Sequence, residues 1–135
     1  MYSIKQIYKS MNSAVAGICD KVYIQDRPLS VDERIKSYLL LEISSSIENQ
    51  EMNSDGAYNL SILTVRFVLF VRNRTSAKNI NAMDINELDK KFSSIMSIFP
   101  YSDDYVTITR PYILMSGNDG SDFHYIAINA DLKIK

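Results

Sequence analysis

The order of hydrophobic patterns predicts an α+β domain, a mostly antiparallel sheet with two helices packed on one face. Apolar residues recur at helical spacing in two segments, near 4–18 and 84–99. Period-two runs occupy 38–45, 60–72 and 123–134. The chain therefore runs helix, strands, helix, strands. With 135 residues and neither repeat nor linker, residues 1–135 read as a single domain.

In the first segment Ile4, Ile7, Tyr8, Met11, Val15 and Ile18 form one stripe, with Lys5, Gln6, Lys9 and Asn12 opposite. Gly17 marks the end of that helix. Val22-Tyr23-Ile24 is a short β-type run closed by the turn residues Gln25-Asp26-Arg27-Pro28. Over 38–45, Leu39, Leu41 and Ile43 alternate with Tyr38, Leu40 and Glu42, as in a strand. A polar stretch over 46–59 holds Asp55-Gly56, a hairpin signal in a long connection. The run 60–72 carries Leu63, Val65, Phe67, Leu69 and Val71 on one face and Ile62, Thr64, Arg66, Val68 and Phe70 on the other. One wholly apolar and one mixed face predict a central strand.

Residues 73–83 read as a loop. Asp84-Ile85-Asn86-Glu87 has capping-box spacing, and Ile85, Leu88, Phe92, Ile95 and Phe99 form a stripe that stops at Pro100. Two strand runs, 105–109 and 112–115, flank Arg110-Pro111, and Gly117-Asn118-Asp119-Gly120 has turn chemistry. The closing strand, 123–134, places Ile126, Ile128, Ala130, Leu132 and Ile134 on one face. The strands at 39–45, 60–72 and 123–134 are expected in one sheet.

Composition excludes several function classes. Fifteen Lys and Arg against sixteen Asp and Glu give a net charge of -1, without the basic excess of a nucleic-acid or membrane-surface protein. One cysteine, Cys19, allows neither an internal disulfide nor a Cys-based zinc site. No secretory signal opens the chain, and the longest apolar stretch, 62–71, is too short for a bilayer. A soluble intracellular domain is the expectation.

No constellation points to catalysis, a cofactor or a metal. His124 is the only histidine and lacks a triad; Asp122 lies two residues away on the same strand face. Cys19, at the end of an amphipathic helix, suits a buried thiol. Asn118-Asp119-Gly120-Ser121-Asp122 resembles half a calcium loop but has no closing Glu. Asp32-Glu33 and Asp103-Asp104 are adjacent carboxylates that diverge, and the four glycines form no phosphate loop.

Two surfaces invite partners. The second face of the long strands gives a candidate oligomer interface: Tyr38, Leu40, Glu42, Ile62, Arg66, Val68 and Phe70. Its mixed apolar and polar character is that of a subunit contact unless a helix or loop covers it. Arg72, Arg74 and Lys78 form a candidate contact loop for phosphate or an acidic surface. A small nucleic-acid-binding regulator using residues 72–78 is the alternative function. The polar segments 46–59 and 73–83 are long for a compact domain and are expected to reach neighbouring subunits.

The arrangement resembles the small α+β proteins that complete the head–tail junction of tailed bacteriophages, the head–tail connectors and tail terminators. The resemblance rests on the opening helix, Lys21-Val22-Tyr23-Ile24-Gln25-Asp26-Arg27-Pro28, and a strand ending Glu42-Ile43. It continues through the long 59–72 strand, a helix ending Ile98-Phe99-Pro100, and Arg110-Pro111-Tyr112 with the closing strand. The Arg27-Pro28 turn and the long polar loop further resemble neck ring proteins of phages of gut Bacteroidetes. The resemblance implies a non-enzymatic, ring-forming homo-oligomer in the virion neck or tail, present in the host cytoplasm during assembly. Its implied partners are the portal and other neck or tail proteins, with DNA passing through the ring unread.

Overall fold

The computed structural model describes residues 3–43, 48–52, 58–74, 82–118 and 122–135. Its order is α1 (Ile4–Ala14), β1 (Lys21–Ile24), β2 (Ser37–Ile43), β3 (Glu48–Met52), β4 (Tyr58–Arg72), α2 (Ile85–Met96), β5 (Tyr101–Ser102), β6 (Val106–Asn118) and β7 (Phe123–Ile134). All seven strands belong to one sheet, ordered β1-β2-β4-β7-β6-β5, with β3 also paired to β4. Every pairing is antiparallel except β1 with β2. The fold is α+β with a mostly antiparallel sheet, and the expected strands at 39–45, 60–72 and 123–134 are adjacent in it as β2, β4 and β7, residues 44–45 lying outside the described residues.

β4 is the central strand. Leu63, Val65, Phe67, Leu69 and Val71 are all buried on one face, with Leu39 and Leu41 of β2 and Ile128, Ala130 and Leu132 of β7. The same cluster contains Ile7, Met11 and Val15 from the α1 segment and Leu88 and Ile95 from α2. These are positions from the two predicted helical stripes, and burying them is what stabilises short helices in water. The Ser3 hydroxyl accepts from the Gln6 amide at 3.3 Å and caps α1. Asp84 caps α2 by accepting from the Glu87 amide at 3.2 Å. Gly17, with φ of 80°, takes the chain out of the α1 segment through a conformation that costs a Cβ-bearing residue more.

The elements depart from the sequence expectation in five places. α2 stops at Met96, because the residue before a proline avoids the helical region and Pro100 follows Phe99. The Phe99 ring instead packs edge-on against Phe67 at 5.8 Å. Ile85, at the head of the predicted stripe, is 62% exposed. Part of the segment 46–59 is the strand β3, paired with the first residues of β4, where a continuous loop was expected. The runs at 105–109 and 112–115 belong to one strand, β6, which passes Arg110 and Pro111 through a register shift, Arg110 having φ of 57°. In the expected loop 73–83, Arg74 and Ala82 form an isolated antiparallel bridge; residues 75–81 lie outside the described residues.

The turn from β5 to β6 is built around Asp103. Its carboxylate accepts from the Tyr105 and Val106 amides at 2.8 and 2.9 Å and from the Tyr101 hydroxyl at 3.0 Å. Desolvation works to raise its pKa, but these donors, together with the buried Ser10 hydroxyl of α1, outweigh it and hold the carboxyl below its ordinary value.

Two measurements follow from this packing. Ile95→Ala should cost about 2–5 kcal/mol in chemical denaturation, and Ile85→Ala should stay within about 0.5 kcal/mol. Equal effects would contradict the burial difference between them. A depressed folded pKa at Asp103 means stability present above the unfolded value near 3.9 and lost as pH falls through the folded one. Asp103→Asn should thus be less stable than the parent at neutral pH, the gap closing on acidification; a gap constant from pH 7 to about 2 would refute the charge effect.

Candidate association surface

The second face of β4 divides into a covered half and an open half. In the covered half Tyr38, Leu40, Val68, Phe70, Phe123 and Ala127 form a second buried cluster, flanked by Tyr23, Val31, Ile35 and Tyr125. Tyr38 stacks on Phe70 with centroids 4.5 Å apart and meets Phe123 edge-on at 5.1 Å. Val31 and Ile35 come from residues 25–36, the connection between β1 and β2, which crosses this end of the sheet as a strap. Arg27 from the same strap stands over the Phe70 ring at 4.9 Å.

Arg72 holds the strap down. Its Nε donates to the Ile35 carbonyl at 3.0 Å and its Nη2 to the Asp32 carbonyl at 3.1 Å. Its backbone amide donates to the Lys36 carbonyl at 2.8 Å. The guanidinium lies over the Phe123 ring at 4.6 Å and 3.8 Å from the exposed Asp122 carboxylate. The strap is ordered locally as well: Asp32 accepts from the Arg34 amide and side chain, and Asp20 accepts from the Lys36 amide at 2.8 Å. A planar guanidinium reaching two carbonyls is a task that lysine cannot copy.

This arrangement corrects two sequence-based assignments. Tyr38, Leu40, Val68 and Phe70 are 0 to 6% exposed within the single chain, so they are core beneath the strap rather than a bare oligomer interface. Arg72 is likewise turned inward onto the strap, so of the expected contact loop only Arg74 stands exposed among the described residues. Lys78 lies outside the described residues. The remaining three interface candidates, Glu42, Ile62 and Arg66, are half-buried in the open half. There Glu42 faces Arg66 across the β2–β4 ladder, Arg66 Nε donates to Asn129 Oδ1 at 3.1 Å, and Asn129 Nδ2 donates to the Tyr112 hydroxyl at 3.3 Å. A groove of about 460 Å³ lies where the halves meet, between Arg27, Glu42 and Arg66 on one side and Met115, Asn118 and Tyr125 on the other.

The largest uncovered apolar stretch is the second part of β6. Tyr112, Ile113, Leu114 and Met115 are 39 to 52% exposed although consecutive, so both strand faces are bare there. β5 pairs only with Thr107 and Ile108, and among the described residues no strand covers the outer edge of β6 beyond them. In the sequence, residues 112–115 read as an ordinary strand run. An unbroken apolar run looks the same whether a strand is buried on both faces or stripped on both. The strap was missed for a related reason: Val31 and Ile35 have neither a strand nor a full helical period around them, and only their spacing amid charge hinted at an anchored loop.

The remaining sequence candidates have structural surroundings. Cys19 is half-buried, and burial raises its thiol above the ordinary value. The His124 Nδ1 contacts the Asn73 side chain. Residues 119–121 of the calcium-like turn lie outside the described residues. Among the described residues, no group of three or more His, Cys, Asp or Glu could hold a metal ion, and no helix is long and apolar enough to cross a membrane. No protein-family model matches the chain, and a search of curated proteins gave no significant match.

Removing the latch tests its role. Arg72→Ala and Arg72→Lys should each lose about 2 kcal/mol of stability, the scale of a hydrogen bond from a charged donor. Backbone amides in 31–36 should exchange faster in both variants. A loss under about 0.5 kcal/mol would show that the strap holds without Arg72.

Proposed function

We propose that this chain is a ring-forming structural subunit of the neck or tail of a tailed bacteriophage, serving head–tail connection or tail completion. The observation that carries this reading is the bare β6 stretch at 112–115, four consecutive apolar residues on an open sheet edge. Such a surface is costly in water and marks an association site. In this reading both helices cover one face of the sheet, as their shared cluster with β2, β4 and β7 supports, and the strap covers half of the other. The sheet edges and the open half of the second face are then left for neighbours. The subunit's partners are further copies of itself, the portal and adjacent neck or tail rings, and it assembles without catalytic chemistry. The resemblance in strand and helix order to head–tail connectors and tail terminators supplies the place in the particle.

The test is made on virions. Mass spectrometry of purified particles should find the chain in a small fixed copy number, and cryo-electron microscopy should show it as a ring on the tail axis. Its absence from particles, or a scattered position off that axis, would refute the proposal.

A further inference from the structure

The two edges of the sheet are open at the same level. Reading across the ladder, Lys21 of β1 pairs with Tyr38, Tyr38 with Phe70, Phe70 with Tyr125, and Tyr125 with Gly117 of β6. Three residues along, Ile24 pairs with Leu41, Leu41 with Phe67, Phe67 with Ile128, and Ile128 with Ile113. The four residues of β1 therefore stand level with 113–117 of β6, where β5 no longer covers the outer edge. Direction matches too. β6 and β4 both run antiparallel to β7, whereas β1 runs with β2 and so against β4. Adding β1 of a second copy beside β6 gives an antiparallel pair, the arrangement that hydrogen-bonds most readily.

The chemistry of the two edges permits the contact. Natural edge strands are guarded by charge, proline or bulges. From 111 to 118 β6 carries no charged residue. Its proline and its first register shift precede Ile113; the second shift falls between Ile113 and Met115, after which Met115, Ser116, Gly117 and Asn118 follow β7 in unbroken register. β1 carries one charge, the exposed Lys21 at its start, and its Ile24, beside Lys5, Tyr8 and Lys9 of α1, is 49% exposed, close to the 49 to 52% of Ile113 and Met115. A contact of β6 with β6 about a two-fold axis would leave β1 bare on every copy. Pairing β6 with β1 covers both edges of every copy inside the assembly and is heterologous, the type that propagates or closes into a ring.

We propose that copies of this chain associate head to tail, the 113–117 stretch of β6 in one copy pairing antiparallel with β1 (Lys21–Ile24) of the next. This deepens the reading of the chain as a self-assembling subunit and rests on it. The experiment uses two full-length variants, Ile24→Glu to block β1 and Ile113→Glu with Met115→Glu to block β6, each shown by circular dichroism and its melting curve to be folded. In sedimentation the parent should form species larger than a dimer at high concentration, and each variant alone should remain monomeric. The equimolar mixture of the two variants should form a complex of twice the monomer mass and nothing larger, since each retains one working edge. A parent that stays monomeric up to about 1 mM, either variant assembling alone as the parent does, or a mixture that stays monomeric would overturn the proposal. A dimer formed by Ile24→Glu alone would also overturn it, by showing a two-fold β6 contact. These results are independent of the virion test: a ring found in particles alongside a failed mixture would mean that the ring closes through other contacts.

Discussion

A strand with one wholly apolar face and a second that is apolar over half its length needs cover on both sides, and β4 imposes that requirement on the whole chain. Its odd-numbered residues from Leu63 to Val71 and its even-numbered Val68 and Phe70 are all nearly inaccessible to water. Burial of one such side chain is worth about 1.5–3 kcal/mol, so neither face can be left open without a large loss. The residues buried on the first face share one cluster with Ile7, Met11 and Val15 of the α1 segment and Leu88 and Ile95 of α2. The second is served by a connection without regular secondary structure, and only over the half where Tyr38, Phe70 and Phe123 form their aromatic cluster.

The division of the second face follows the chemistry of its ladder. Where Tyr38 opposes Phe70 and Leu40 opposes Val68, the strap lies above; where Glu42 opposes Arg66, Arg66 bonds to Asn129 and both charged residues remain within reach of water. Buried polar groups need partners, and the Arg66–Asn129–Tyr112 chain supplies them at the boundary. The third region, the exposed second part of β6, leaves the Ile113 and Leu114 side chains without cover, which makes it the surface that association would change most.

Much of this was legible in the residues. β4, β7 and β2 declared themselves through period-two patterns on a strand long enough to be unambiguous, and α2 through Asp84 and a stripe that includes Leu88 and Ile95. β3 was hidden because Glu48, Asn49, Gln50 and Glu51 have low strand propensity; pairing with β4, rather than local preference, makes them extended. Arg72 looked like a free cation at a loop tip because sequence carries no sign of which carbonyls lie 37 and 40 residues upstream in space. The interface assigned to Tyr38, Leu40, Val68 and Phe70 erred in the same way. Their alternation identified a second apolar face, but what covered it lay in a segment without periodicity.

The latch at Arg72 also sets the order in which the two faces can be sealed. Its carbonyl partners at Asp32 and Ile35 belong to a segment that returns to β4 only once β2 has been laid alongside, with Ser37 opposite Val71. The loop between latch and strap spans the entire β2–β4 hairpin, so closing it early would cost more chain entropy than closing it after the hairpin has formed. With the strap lifted, the stacked Tyr38–Phe70 pair faces water and any neighbouring chain, so the same twelve-residue connection that completes the core also keeps its aromatic face from other molecules.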